Sequence, residues 1–139
     1  DFVIEAVQQQ MRQGIGLGMQ SNLAGETAAL ISEMGGVERV AFSNTGTEAI
    51  MAAVRIARSR TKRQKIAMFA GSYHGTFDGI LARVGEDLAI AQPLSLGTPL
   101  GMVEDVIVLS YGVEESLEII ANYADELAAV LVEPVQSRK

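Results

Sequence analysis

The 139 residues allow one domain and hardly two, and a hydrophobic share of 48% supports a sizeable core rather than intrinsic disorder. A net charge of −6, from 11 basic and 17 acidic residues, disfavours a general nucleic-acid binder. With no cysteine, disulfide scaffolds, thiolate zinc sites, iron–sulfur clusters and cysteine nucleophiles are excluded, and a single histidine excludes two-histidine metal sites.

The chain opens at Asp1, without Met, inside a helix-like stretch, and stops at Lys139 just after a strand-like run has passed into a loop. It reads as an excerpt of a longer protein, residues 1–139 forming one partial domain. No apolar run approaches the ~18 residues of a membrane helix and no signal-peptide pattern opens the chain, so the expectation is a soluble, cytoplasmic protein without membrane contact. Gly14-Ile15-Gly16-Leu17-Gly18-Met19 fails as a dinucleotide loop: the third glycine would fall at 19, and a helix precedes it rather than a strand. It reads as a Gly-rich connection. Thr27, Leu30, Ile31 and Met34 then follow helical spacing.

Continuous apolar runs at 39–43, 65–69, 106–109 and 128–132 have the character of strands buried on both faces of a parallel sheet. Between them, residues 46–60 predict a helix apolar around much of its circumference, and Leu117, Ile120, Ala121 and Ala124 predict the core stripe of another. This alternation predicts an α/β layered fold. Residues 85–105 lack a period and contain Pro93 and Pro99; they read either as a functional loop or as a packed surface excursion. Six of the eleven basic residues fall between Arg55 and Lys65, where cations complement a helix C-terminus. No lysine has a G-K-[ST] context, and H-E-x-x-H and EF-hand patterns are absent, so no metal is expected.

Three motifs survive, each just after a predicted strand. Ser43-Asn44-Thr45-Gly46-Thr47-Glu48-Ala49 opens a helix, where unpaired N–H groups and the dipole favour an anion. The plainer alternative is capping, since Thr45 and Glu48 satisfy T-x-x-E. Gly71-Ser72-Tyr73-His74-Gly75-Thr76 sets a ring and an imidazole between glycines, for a ligand or for structure. Glu133-Pro134-Val135-Gln136 places a carboxylate at a strand end, as a site group or a solvated cap. Ligands of open parallel sheets bind outside the carboxyl ends of the strands, so the three loops suggest one crevice for a phosphorylated, ring-bearing ligand.

These motifs, in this order, resemble the class III aminotransferases, most closely the glutamate-1-semialdehyde aminomutase branch. The run Glu133-Pro134-Val135-Gln136-Ser137-Arg138-Lys139 is similar to the aminotransferase domains of the hybrid polyketide–nonribosomal peptide synthetases that make microcystin and nodularin. The resemblance implies a three-layer α/β/α fold with a mostly parallel sheet, of the aspartate aminotransferase type. The cofactor would be pyridoxal 5'-phosphate, and these residues would be a fragment of the cofactor-binding large domain. It implies cofactor contacts from Thr45, Gly46, Thr47, Tyr73, His74 and Glu133. Of these, Gly46 and Thr47 would hold the phosphate, Tyr73 would stack on the pyridine ring, His74 would lie near substrate, and Glu133 would order the pocket. No catalytic residue is expected inside the fragment: the Schiff-base lysine and the aspartate on the pyridinium nitrogen lie beyond Lys139 in the family, and Lys62, Lys65 and Lys139 do not match that lysine. Arg138 departs from the ω-aminotransferases that carry glutamate there, and it would face substrate or a carrier protein. The implied reaction moves an amino group, from glutamate as donor, to a β-keto acyl chain on a carrier, in a homodimer. The alternatives are aminomutase chemistry on a small semialdehyde and a non-catalytic domain that keeps the fold.

Overall fold

The structure, a computed structural model, describes residues 1–14, 22–86 and 90–136, and the chain divides into two compact units, residues 1–42 and 43–139. In the first unit, α1 (Phe2–Gln13) begins on Asp1, whose carboxylate accepts the Val3 N–H at 3.1 Å, and ends at Gly14. Beyond Gly14, the Gly-rich connection lies outside the described residues until α2 (Asn22–Gly35), the helix predicted from Thr27, Leu30, Ile31 and Met34. The strand expected at 39–43 does not form. Only Val40 is half-buried there, and no described backbone group pairs with the run; apolar character without a ladder partner makes no strand.

The second unit is built on a parallel sheet. The runs at 65–69 and 106–109 become β1 (Lys65–Phe69) and β4 (Val106–Leu109), and the last run becomes β5 (Leu127–Leu131). Their order is β4-β1-β5, with Met68 opposite Val108 on one side and Leu131 on the other. Alternation along β1 sorts the core into two faces. Met68 packs with Val106, Val108, Val103 and Ile80, joined by Ile50 of α3 (Gly46–Thr61). Ala67 and Phe69 pack with Ile107, Leu109 and Leu127 on the opposite face, joined by Ile119 and Ile120 of α4 (Glu114–Asn122). Helices thus cover both faces, which is why the strands read as continuous apolar runs.

Two expectations shift in detail. The face of α4 toward the core is Ser116, Ile119, Ile120 and Tyr123; the expected Leu117, Ala121 and Ala124 are exposed, and the helix has already ended at Asn122. β5 flanks the sheet and is half-buried, with Val130 36% exposed, so it is not covered like β1. Its register slips by one residue: Lys65 pairs with Leu127 but Ile66 with Ala129, so Ala128 is the extra residue of a bulge. The slip moves Leu131 onto the face of Ile50 and Met68 although Leu127 packs on the other.

The described part of 85–105 is a packed excursion. β2 (Ala82–Arg83) pairs antiparallel with β3 (Gln92–Pro93), Ala91 and Val103 are buried, and Thr98 donates to Asp78 at 3.0 Å. The basic cluster closes the end of α3 as expected: Arg58 donates to the Gln64 carbonyl, and Arg63 to the carbonyls of Ala124 and Leu127. Lys65 pairs with Glu126 at 3.4 Å. Among the described residues, no helix is long and apolar enough to cross a membrane.

Candidate functional site

Parallel strands send their following loops to one end of the sheet; there the loops after β1 and β5 meet the first motif, which opens α3 with no strand before it among the described residues. Thr45 caps α3: its hydroxyl accepts the Glu48 N–H at 3.2 Å, and the Glu48 carboxylate reaches back to the Asn44 N–H at 2.7 Å. The capping reading is therefore correct, and it does not use up the helix end. The N–H groups of Gly46 and Thr47 precede the first intrahelical bond, Ala49 to Thr45, and have no acceptor among the described residues. Two donors and the positive end of a 16-residue helix remain for an anion.

The loop after β1 lies against this helix end. The Thr47 hydroxyl accepts the Thr76 N–H at 3.2 Å, which leaves its own proton to donate elsewhere. Gly75 makes the approach possible. With φ at +99°, a Cβ there would stand 2.6 Å from Thr47 Oγ1 and 2.8 Å from its Cα. The loop after β5 grips the same segment, with Glu133 Oε2 accepting the Tyr73 N–H at 3.0 Å. The Tyr73 ring is 46% exposed at this mouth, whereas His74 is buried at 8%. Burial holds the His74 pKa below its ordinary 6.5, against the opposing pull of the Glu133 carboxylate, so the imidazole is neutral at pH 7. Its Nε2 is buried with no hydrogen-bond partner among the described residues. A cavity of about 620 Å³ opens beside the loop, lined by Tyr73, His74, Thr76, Met68, Ile80 and Leu94.

The structure thus brings Thr45, Gly46, Thr47, Tyr73, His74 and Glu133 together at one end of the sheet. Arg138 lies outside the described residues. Lys65 stands at the opposite end of β1, five residues before the loop begins at Ala70. Sequence reasoning missed the supports of the site. Gln136 donates to the Ala70 carbonyl and to Ser72 Oγ, both at 3.0 Å, and Tyr111 donates to the Pro134 carbonyl at 2.8 Å while its ring packs edge-on against Phe69 at 5.5 Å. Only Gln136 stood in a motif; Tyr111 carries no local signal.

A parallel sheet covered by helices, with an anion-ready helix end and an aromatic ring at its carboxyl edge, defines an α/β fold that matches solved PLP-dependent aminotransferases. A solved transaminase with PLP bound superposes with a TM-score of 0.85 at 37% identity, over 97% of this chain and 32% of that one. A β-phenylalanine aminotransferase from Variovorax paradoxus superposes with a TM-score of 0.75 at 33% identity, over 98% of this chain and 29% of its own. The family model for aminotransferase class III matches residues 2–139, and the chain belongs to that family. The glutamate-1-semialdehyde 2,1-aminomutase of Clostridium acetobutylicum is 41% identical over 136 residues, 96% of this chain and 32% of that protein. The chain spans about a third of the length of the relatives it matches.

Proposed function

We propose that residues 1–139 are part of the cofactor-binding large domain of a pyridoxal-phosphate aminotransferase. In this reading the enzyme takes an amino group from glutamate and delivers it to a β-keto acyl chain tethered to a carrier protein. The observation that carries the cofactor assignment is that two N–H donors, at Gly46 and Thr47, without an acceptor among the described residues, share one end of the sheet with the half-exposed Tyr73. The residues fit such a group. The helix end offers what a phosphate needs, and Gly75 lets the loop that bears Tyr73 lie against Thr47 at that end, where a Cβ would clash. When bound, the cofactor supplies an electron sink, and the protein supplies binding and orientation. Thr45 sets the first turn of α3, Gly46 and Thr47 bind the phosphate, and Glu133 holds the Tyr73 backbone. His74, buried and neutral, lines the cavity without adding charge. The lysine that carries the cofactor and the aspartate that pairs with its ring nitrogen are assigned to segments beyond residue 139.

Support for a β-amino product comes from the solved β-phenylalanine aminotransferase at 33% identity. The carrier-bound substrate, within microcystin- or nodularin-type synthetases, rests on the resemblance of residues 133–139 alone. Arg138 is the proposed carrier contact in a cytoplasmic homodimer. The second reading, aminomutase chemistry on a small semialdehyde, is favoured by the 41% identity to the Clostridium enzyme. Assaying the complete protein with glutamate plus a carrier-bound β-keto chain, against glutamate-1-semialdehyde, separates the two. Transfer to the carrier substrate, with a KM raised by Arg138→Glu and a glutamate half-reaction that changes less, supports the first; turnover of the semialdehyde alone sinks it. No activity with either substrate, in a protein that binds the cofactor, points to a non-catalytic domain.

A further inference from the structure

The loop from Ala70 to Thr76 carries the ring and the imidazole of the proposed site, and it makes a turn rather than a strand or helix. Its position is set by side chains reaching in from elsewhere. At its far end the Thr47 hydroxyl holds the Thr76 N–H, and in its middle Glu133 holds the Tyr73 N–H. At its near end the Ala70 N–H donates to the Leu109 carbonyl at 2.8 Å, and one side-chain amide adds its hold: Gln136 Nε2 donates one proton to the Ala70 carbonyl and the other to Ser72 Oγ, each at 3.0 Å. The carbonyl of Ala70 can only accept, so the nitrogen of the amide must face it. Gln136 is itself steadied, since the Tyr111 hydroxyl donates to the carbonyl of Pro134 two residues earlier.

We infer that Gln136 is a positioning residue of the site: by pinning Ala70 and Ser72 it fixes where Tyr73 and His74 stand. Gly71, between the two pinned residues, adopts φ +82°, a conformation open to glycine and rarely adopted by residues with a Cβ. Without the amide, the turn keeps the Ala70 N–H bond to the Leu109 carbonyl at 2.8 Å, the Ser72 N–H bond to the Phe69 carbonyl at 3.1 Å and the grip of Glu133 on the Tyr73 N–H, but loses its side-chain hold on the Ala70 carbonyl and the Ser72 hydroxyl. The inference deepens the proposed cofactor reading and rests on it for its functional consequence, though not for its structural one.

The test uses the complete protein and three variants: Gln136→Leu, the isosteric Gln136→Glu, which puts an acceptor against the Ala70 carbonyl, and Ser72→Ala, which removes one bond at little risk to folding. Amide hydrogen exchange in cofactor-free protein should quicken over residues 71–76, roughly 2- to 12-fold for each bond lost, with β1 and β4 unchanged. Gln136→Glu should exceed Gln136→Leu, and Ser72→Ala should add little on top of Gln136→Leu. The visible circular dichroism of bound pyridoxal phosphate should change in the same order. Unchanged exchange over 71–76 in all three variants overturns the inference. Faster exchange with unaltered dichroism also overturns it if Thr47→Ala and Tyr73→Ala do alter the dichroism. If those two leave the dichroism unaltered as well, the cofactor reading itself has failed.

Discussion

Thr47 holds two things at once, the neighbouring loop through its oxygen and, in the proposed reading, an anion through its proton. Thr47→Ala in the complete enzyme should therefore weaken cofactor retention more than it slows turnover at saturating cofactor. A hydrogen bond to a charged group contributes about 1.5–3 kcal/mol, so affinity should fall roughly 10- to 150-fold by equilibrium dialysis. Unchanged affinity removes Thr47 from the phosphate site. His74 gives a separate readout in stability. Its folded pKa is held below the ordinary 6.5 mainly by burial, so the unfolded chain binds the proton more readily than the folded one. The stabilisation from keeping this histidine neutral is present above pH 6.5 and is lost as the pH falls below it, toward the lower folded value. Urea midpoints of the complete protein should drop between pH 7.5 and 5.5, and His74→Asn should flatten that drop; an equal slope in the variant would show that other groups dominate. That the ring, the imidazole and the carboxylate share one end of the sheet was legible, because each sits beside a strand end in a local motif. Which of them meets solvent was not. His74 is buried and Tyr73 exposed on a segment whose Tyr73 N–H is held by a carboxylate sixty residues away, and no local pattern encodes that contact.

Among the elements, α3 was the most legible: Thr45 and Glu48 mark its start, and the structure begins the helix at Gly46. Its end depends on a residue that fits poorly. Lys62 closes the helix in the left-handed region at φ 62°, the one non-glycine residue with positive φ among the described residues. A side chain in that region costs about 1–2 kcal/mol, partly offset for glycine by its greater freedom when unfolded. Lys62→Gly should then stabilise the protein by roughly 0.5–1 kcal/mol, seen as a higher thermal midpoint with cofactor binding unchanged. A lower midpoint would mean that the lysine side chain contributes more than its backbone costs. β1 and β4 were legible because their continuous apolar runs match burial on both faces. Two features were not, and each depends on a partner. The run at 39–43 has strand composition but, among the described residues, no neighbour to pair with, and the bulge at Ala128 becomes visible only when β5 is set against β1. The α4 stripe was misread by one position because Ile119 and Ile120 both suit a core, and only the facing strands decide between 117–120–121 and 116–119–120.

At the scale of the molecule, polarity along the sheet separates binding from any covalent chemistry by this chain's described lysines. The site gathers after Phe69, at the carboxyl end of β1, while Lys65 starts that strand. At about 3.3 Å per residue the two ends lie roughly 13 Å apart. Lys65 also pairs with Glu126 at that far end, and Lys62 caps α3 at the end opposite Gly46. Neither can reach a group held by Gly46 and Thr47 without dismantling the strand or the helix that places it. If the cofactor reading is right, borohydride reduction of the complete enzyme at stoichiometric cofactor should fix the label on one lysine outside residues 1–139. Peptide mass spectrometry would place it. The sheet makes the companion prediction for residues 1–139 expressed alone. Among the described residues β4 and β5 each pair on one side only, to β1, which leaves two strand edges with open N–H and C=O groups. Apolar side chains such as Phe2, Met34, Ile56 and Val135 are more than two-thirds exposed. Open edges beside exposed apolar surface favour association, so the isolated segment should elute as oligomers or aggregates and retain no cofactor through gel filtration. A monodisperse monomer that keeps stoichiometric cofactor, with the label on Lys62 or Lys65, would overturn both the proposed placement of the catalytic lysine and the polarity argument beneath it.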